Sequence, residues 1–410
     1  MRRLLSPVVL LALAAPALAA APRTVVVLLF DGFAPSMFAG ANTPALDRMR
    51  REGAWTNRFV PPFPTISLIS GMTISTGCWP EHHGVVTNIF LDPVRGRYDH
   101  SRDADWLTGC EHMHQAAERQ GVRSAALDWY GAMSTSKGAQ ATVARDRKWE
   151  EMPDDLAKAD EVVALLNLPD AERPRLILAY FKGPDGVAHR KGIGAEETRA
   201  AVEHTDAAVA KVQRAVESAP FPVALIVTTD HGMRYVSHIV NVRKILANHQ
   251  IKAEPLSTGT TSFLYFENEA DVAPAAEKLA DYEEFEVLRK GALPGYAHLG
   301  DGARVPQLIL SAKPPYFIED PALWPPSLKW LGTYGPEIMW ARLSLKASHG
   351  YPPQEEGMAG ILYASGDGIA KGREVREMNA VDLHPTVMSL LGVEPGRPVD
   401  GTVARELLAE

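Results

Sequence analysis

Four short runs of apolar, largely β-branched residues constrain this chain most strongly: Thr24 to Phe30, Arg175 to Phe181, Pro222 to Thr229 and Met358 to Ala364. They are apolar throughout rather than alternating, which suits strands covered on both faces, and each ends in a polar or glycine-bearing turn. Helix-like segments lie between them, at Thr43 to Glu52, Cys110 to Gln120, Ala195 to Ser218 and Ala380 to Leu391. Thr43-Pro44 offers a cap followed by proline in the first helical position, and Gly53 a stop. Alternation of this kind predicts an α/β protein with a mostly parallel sheet. Ligands of such sheets gather outside the carboxyl ends of the strands. Asp31 ends the first run, Asp185 follows Phe181 by a short turn, and Asp230-His231 ends the third.

Of the 410 residues 46% are hydrophobic and 22% charged, which excludes a disordered or fibrous chain. The formal charge of −8 argues against a broad footprint for polymeric nucleic acid or an anionic membrane, so an anionic substrate needs a local positive centre. Arg2-Arg3, the apolar run Leu4 to Ala15 and Ala17-Leu18-Ala19 form the pattern of a cleaved export signal over residues 1–19. That run is shorter than the roughly 20 residues of a membrane span, and no later run is long enough. Export, to a periplasm or to the medium, is therefore expected. Between 251 and 345 the strand-like pattern gives way to a Pro- and Trp-rich stretch, with Pro314-Pro315, Trp324, Pro325-Pro326, Trp330 and Trp340. It reads as an inserted cap subdomain, leaving 20–250 and 346–410 as the catalytic α/β domain. Cys78 and Cys110 are the two cysteines, and in an exported protein they could be bridged. Such a bridge is worth on the order of 3.5 kcal/mol by loop entropy; two separate buried thiols are the alternative.

Singly, the acidic and histidine residues say little. Asp185 and His189 are four apart and share a side if that turn is helical, yet such pairs are common on surfaces. Asp230 at a strand end could merely hydrogen-bond its own turn, and His349-Gly350 is weaker still. Cys78-Trp79-Pro80 is faintly sulfatase-like but lacks the arginine of that signature.

In combination they say more. Asp31-Gly32-Phe33, Phe63-Pro64-Thr65-Ile66-Ser67, His82-His83-Gly84-Val85-Val86-Thr87-Asn88, Pro184-Asp185 with His189, Asp230-His231-Gly232-Met233 and Ser348-His349-Gly350-Tyr351 occur in that order. The series resembles the motifs of the nucleotide pyrophosphatase/phosphodiesterase family, within the alkaline phosphatase superfamily, from about Thr24 to Gly401. The resemblance implies an alkaline-phosphatase-like sheet flanked by helices, and two Zn²⁺ ions. Asp185, His189 and His349 would hold one; Asp31, Asp230, His231 and the nucleophile would hold the other. Oxygen and imidazole donors without cysteine suit catalytic zinc, which keeps a position open.

Counted back from Thr76-Gly77, the family's nucleophilic threonine falls on Ser67, which keeps the hydroxyl; Thr65 is the nearby alternative. Zinc would stabilise the alkoxide, so no Ser-His-Asp relay is required. Asn88, 21 residues further, stands where the family places an amide on a phosphoryl oxygen. Two zinc ions balanced by Asp31, Asp185, Asp230 and an ionised Ser67 leave a nearly neutral centre, and a neutral Asn88 beside it favours a diester over a monoester dianion. Arg145, Arg147 or Lys148 could change that balance from a loop. Tyr180 occupies the family's stacking position for a nucleobase or other flat group, a core aromatic being the alternative. The sequence departs from the family at Leu68, where a second aromatic wall is usual, and at Lys182, where an acid is usual.

The expected activity is a zinc-dependent phosphodiesterase or nucleotide pyrophosphatase working through a covalent phosphoserine, on a small phosphate ester such as a nucleotide. A phosphomonoesterase on the same scaffold is the nearest rival. A noncatalytic zinc-binding envelope protein is a rival of another class, disfavoured because structural zinc sites are usually closed and cysteine-rich.

Overall fold

The protein is described from a computed structural model covering residues 22–99, 106, 109–135, 137–319, 326–341 and 345–410. The expected export signal at 1–19, Trp324 and Pro325 lie outside these residues. The four apolar runs form the strands Thr24–Phe30, Leu176–Phe181, Val223–Thr229 and Gly360–Gly366 of one large sheet. Thr24–Phe30 sits at its centre, parallel to both Leu176–Phe181 and Val223–Thr229. Outward from Leu176–Phe181 come Ser124–Leu127 and then Val143–Arg145, also parallel. Outward from Val223–Thr229, Gly360–Gly366 runs antiparallel and leads to Ala54–Val60, whose far edge carries Arg373–Glu374 and Met378–Asn379. The sheet is mostly parallel and flanked by helices, as the alternating pattern predicts.

The central strand shows why its sequence is apolar at every position. Val25, Val27 and Leu29 pack into one core with Met72, Val387 and Leu362, whereas Val26, Leu28 and Phe30 pack into a second with Leu46, Val209 and Ile361. Helices Pro44–Glu52, Asp155–Leu166 and Glu196–Ser218 cover the second face; Ser67–Thr76 and Leu383–Leu391 cover the first.

Within 251–345 a four-stranded antiparallel sheet forms in the order Glu254–Thr258, Thr261–Tyr265, Leu308–Ala312, Phe285–Arg289. Leu256, Phe263 and Ile309 from this sheet join the same core as Val25 and Met72. A second small sheet pairs Tyr316–Ile318 and Ile338–Trp340 with His238–Val240, a strand that precedes residue 251. Among the described residues no helix is long and apolar enough to cross a membrane.

Helix Ser67–Thr76 is braced from behind. Cys78, just past its end, is bridged to Cys110. Ser75 Oγ bonds His112 Nδ1 at 2.8 Å, and the Ser75 carbonyl accepts from His384 Nδ1 at 2.9 Å, while Gly396 N–H donates to His384 Nε2 at 2.8 Å. His384 is thus fixed as a neutral imidazole, donating on one side and accepting on the other. His83 is fixed likewise, accepting from Val85 N–H at Nδ1 and facing Thr73 Oγ1 through Nε2. His114, fully buried and stacked on His112, has no partner for either ring nitrogen.

Burial holds His83 and His114 down to about 3 and His384 to about 4, with His82 and Arg304 lowering His83 further and the His384 imidazole opposing protonation of His114; His112 is depressed as well. Unfolded, these groups titrate near 6.5. Between about pH 6.5 and pH 4 the unfolded chain therefore binds protons that the folded chain refuses, and stability falls as pH falls. Urea midpoints should drop across this window. In His114→Phe the dependence should be shallower by one proton; an unchanged slope would contradict the buried neutral imidazole.

Candidate active site

The parallel register places Phe30 opposite both Phe181 and Thr229, so three strands end level and their next residues share one edge. Asp31 and Asp230 follow directly. Lys182-Gly183-Pro184 then turns into helix Asp185–Lys191, which carries Asp185 in its first position and His189 one turn on. Gly32 takes φ +63, and a Cβ there would stand 2.5 Å from Asp185 Oδ1, so only glycine lets the loop pass the carboxylate. His349 arrives from the far end of the chain. Its approach is fixed by Ala347–Ser348, which pairs antiparallel with Arg234–Tyr235 just after Asp230-His231.

All three imidazoles are aimed the same way. His189 Nδ1 faces the Ala347 carbonyl at 2.8 Å, His231 Nδ1 that of Gly232 at 2.9 Å, and His349 Nδ1 that of Thr65 at 2.9 Å. A carbonyl only accepts, so each Nδ1 carries the proton and each Nε2 turns a lone pair to the site. Asp230 is oriented as firmly: its Oδ1 accepts from the Gly32 and His231 N–H groups at 3.0 and 2.9 Å, while its buried Oδ2 makes no hydrogen bond. Asp185 Oδ1 meets His189 Nε2 at 3.3 Å and His349 Nε2 at 3.8 Å. His231 Nε2 stands 3.4 Å from Asp31 Oδ1 and 3.7 Å from Asp230 Oδ2.

This donor set fits divalent metal. Donors about 2.0–2.1 Å from a tetrahedral ion lie roughly 3.3 Å from one another, close to the separations found. Among the described residues two clusters meet the requirement, Asp185 with His189 and His349, and Asp31 with Asp185 and His231. Asp185 belongs to both, a sharing that sequence spacing does not suggest. The electrostatics also call for cations. Burial raises the Asp31 carboxyl well above its usual range, and Asp230 and Asp185 beside it push it further. Burial likewise opposes ionisation of Asp185, yet the imidazoles of His189, His349 and His231 outweigh it and hold that carboxyl low. His349 is depressed by burial and by the neighbouring imidazoles.

Ser67 opens helix Ser67–Thr76, and its hydroxyl lies 3.0 Å from His231 Nε2 and 3.3 Å from Asp31 Oδ1. It sits where the helix dipole and free N–H groups favour negative charge. Thr65 is placed differently: fully buried, its hydroxyl donates toward the Tyr351 carbonyl and Met358 sulfur and accepts from Gly350 N–H, while its carbonyl holds His349.

Asp31, Ser67, Leu68, Asn88, Tyr180 and Asp185 line one cleft of about 570 Å³. Among the described residues no partner meets the buried Asn88 Oδ1. Leu68 is 6% exposed and Tyr180 1%; Tyr180 packs edge-on to Tyr130 and donates its hydroxyl to Asp31. The loop cations part company. Arg145 pairs with Glu161; Arg147 and Lys148 both line the cleft beside Trp149, Arg147 with its guanidinium held by Asp128 and Glu161. Trp149 was not anticipated as a site residue; the only hint in the sequence is an aromatic beside a basic run after a strand.

A sheet of this order, with metal-type donors at its carboxyl edge, defines an alkaline-phosphatase-like hydrolase fold. Residues 25–352 match the family model of type I phosphodiesterase / nucleotide pyrophosphatase, and the chain belongs to that family. It is thereby a hydrolase of phosphate ester and anhydride bonds. An uncharacterized pyrophosphatase/phosphodiesterase of Schizosaccharomyces pombe is 26% identical over 400 residues, 92% of this chain and 79% of that protein. Ectonucleotide pyrophosphatase/phosphodiesterase family member 7 of Homo sapiens is 25% identical over 387 residues, 89% of this chain and 79% of its own. The fold is similar to that of an inactive murine ectonucleotide pyrophosphatase/phosphodiesterase 5 in complex with AMP, with TM-score 0.81, 21% identity, and coverage of 94% of this chain and 100% of that one.

Replacing the Thr65 hydroxyl, as in Thr65→Val, removes bonds to three buried groups and should lower stability by about 1–3 kcal/mol while turnover persists. Thermal melts and initial rates check this. Intact folding with turnover lost would instead place Thr65 in the chemistry.

Proposed function

We propose that the chain is an exported, zinc-dependent phosphodiesterase acting on nucleotide-like diesters or pyrophosphates through a phospho-Ser67 intermediate. One observation carries the reading: the Ser67 hydroxyl, at a helix N-terminus, faces an edge where Asp31, Asp185, Asp230 and the Nε2 lone pairs of His189, His231 and His349 converge. Asp185, His189 and His349 would hold one Zn²⁺; Asp31, Asp230, His231 and Ser67 would hold the second, with Asp185 near both. Bound zinc would supply Lewis acidity, stabilising negative charge on the serine oxygen and on the phosphoryl group.

The residues supply the remainder. Ser67 Oγ, its proton released to water in the open cleft, attacks phosphorus as the ester or anhydride bond opposite breaks and the leaving group departs. Asn88 donates to a non-bridging oxygen without adding charge. Water then opens the Ser67–phosphorus bond, returning the hydroxyl and releasing product. The fixed Nδ1–carbonyl bonds keep all three imidazoles oriented throughout.

Export is supported by the Arg2-Arg3 leader pattern and by the Cys78–Cys110 bridge, which suits an oxidising compartment. The segment 251–345 is taken as a cap on the strength of its separate antiparallel sheet. Lys148 in the cleft is the observation that favours the monoesterase reading, because it could offset a second phosphate charge.

Ser67→Ala should lower turnover roughly a thousandfold or more while zinc content by mass spectrometry stays near that of the parent. Unchanged rates would mean another nucleophile. Chelation should abolish activity and added Zn²⁺ restore it. Between a p-nitrophenyl diester and p-nitrophenyl phosphate, the diester should be preferred; a strong preference for the monoester would transfer the assignment to the phosphomonoesterase.

A further inference from the structure

Helix Asp185–Lys191, which carries Asp185 and His189, is only seven residues long. Two turns have little stability of their own, so the packing around them decides where their side chains stand. The helix stops at Gly192, which takes φ +97, and Ile193-Gly194-Ala195 lead on to helix Glu196–Ser218. His349 comes from another part of the chain, just past the ribbon in which Ala347 stands opposite Tyr235 and Ser348 opposite Arg234. The two imidazoles nevertheless meet, with ring centroids 5.0 Å apart.

Two bonds join helix and ribbon at His189 itself. Its Nδ1 faces the Ala347 carbonyl at 2.8 Å, and its own carbonyl accepts from Lys346 N–H at 2.7 Å. A further tie lies beyond the helix end, where the Tyr235 hydroxyl accepts from Gly194 N–H at 2.8 Å. A Cβ on Gly192 would stand 2.9 Å from Tyr235 Cε1, and one on Gly194 2.7 Å from the Tyr235 hydroxyl oxygen, so the side chain lies directly on the backbone of the turn. Thr198, fully buried, holds the Gly192 carbonyl from the other side at 2.7 Å, which anchors the turn to the long helix rather than to the ribbon. Tyr235 is 52% exposed, so core burial does not account for its ring. It also stands four residues after His231, which brings the chain of the third imidazole into the same ribbon.

We propose that Tyr235 is a positioning residue: by clamping the Gly192–Gly194 turn onto the ribbon it fixes His189 against His349 and so sets the affinity of the Asp185, His189 and His349 site for Zn²⁺. The proposal rests on the zinc reading above. Donors of a preorganised metal site must hold their places to within about 0.5 Å. A short helix tied to the ribbon at His189 alone can pivot about that residue, carrying Asp185 with it; a second tie past its end removes the pivot.

The test titrates the metal-free protein with Zn²⁺ against a competing chelator and counts bound ions by native mass spectrometry. The parent should take up two ions. Tyr235→Ala should weaken one of them about tenfold and leave the other within about threefold, tenfold being the lower end of what is lost when a group that orients a metal-binding histidine is removed. Tyr235→Phe keeps the ring on Gly192 and should recover most of the loss. In His189→Ala, which takes a ligand from the affected site, adding Tyr235→Ala should alter the remaining ion by less than about threefold. Equal affinities in the parent and Tyr235→Ala, both ions weakened alike, or a further loss in the double variant overturns the proposal. Circular dichroism melts of the metal-free parent and Tyr235→Ala should nearly coincide; a variant that does not fold without metal would make Tyr235 a structural residue and overturn the proposal too. A parent that binds no Zn²⁺ refutes the metal reading and this proposal with it, whereas two tightly held ions indifferent to Tyr235 refute the proposal alone.

Discussion

Three parallel strands ending at one level force Asp31, Asp230 and, after one short turn, Asp185 into a common buried edge. Carboxylates gathered this way repel, and burial adds to the cost, which is why the Asp31 carboxyl rises so far above its normal range. Such an edge is stable in its ionised form only with positive charge among the oxygens. Each imidazole commits its Nδ1 proton to a backbone carbonyl and turns its Nε2 toward the carboxylates. Anionic oxygens and neutral nitrogen lone pairs, all pointing inward, form a set of donors lacking its acceptor. Divalent metal resolves that imbalance, and the fold around the edge serves to keep the donors from relaxing away from it.

The proposed nucleophile is held by a different device. Helix Ser67–Thr76 carries Ser67 at one end and is secured near the other by His83, His112 and His384, with Cys78–Cys110 closing the chain behind it. Neutral imidazoles suit this task because each can donate and accept at once without placing charge in the core. Their cost appears only when acid would protonate them. Acid sensitivity and the placement of Ser67 thus share one cause, although the histidines concerned belong to none of the metal clusters.

How much was legible in the sequence follows from where the signal lies. The apolar runs and the acids that end them are local, so the central strands, the parallel class and the edge at which Asp31, Asp185 and Asp230 meet could be read directly. The helical spacing of Asp185 and His189 was local too. Strands Ser124–Leu127 and Val143–Arg145 were less visible because they are short, and the latter is only partly buried. Strand His238–Val240 escaped because its partners lie some eighty to a hundred residues away. The fate of Arg147 depended on Asp128 and Glu161, and the exposure of Trp149 depended on that in turn. A basic loop reads as three equivalent cations until tertiary contacts choose among them.

That choice bears on the kind of phosphate ester the cleft can hold. Arg145 and Arg147 are spent on Glu161 and Asp128, and Lys182 turns its ammonium to the Met152 carbonyl. Among the described residues of the loop, Arg147 and Lys148 line the cleft, and the charge of Arg147 is matched there by Asp128 and Glu161. A monoester brings both of its charges to the reacting phosphorus, where Asn88 is neutral and, in the two-zinc arrangement we propose, three carboxylates and the serine would already match the metal charge. A diester brings one charge there, and a pyrophosphate places its further charge on a second phosphorus, towards the cleft mouth where a flexible lysine can follow it. One mobile ammonium therefore suits an elongated ester with a remote charge better than it suits a compact dianion.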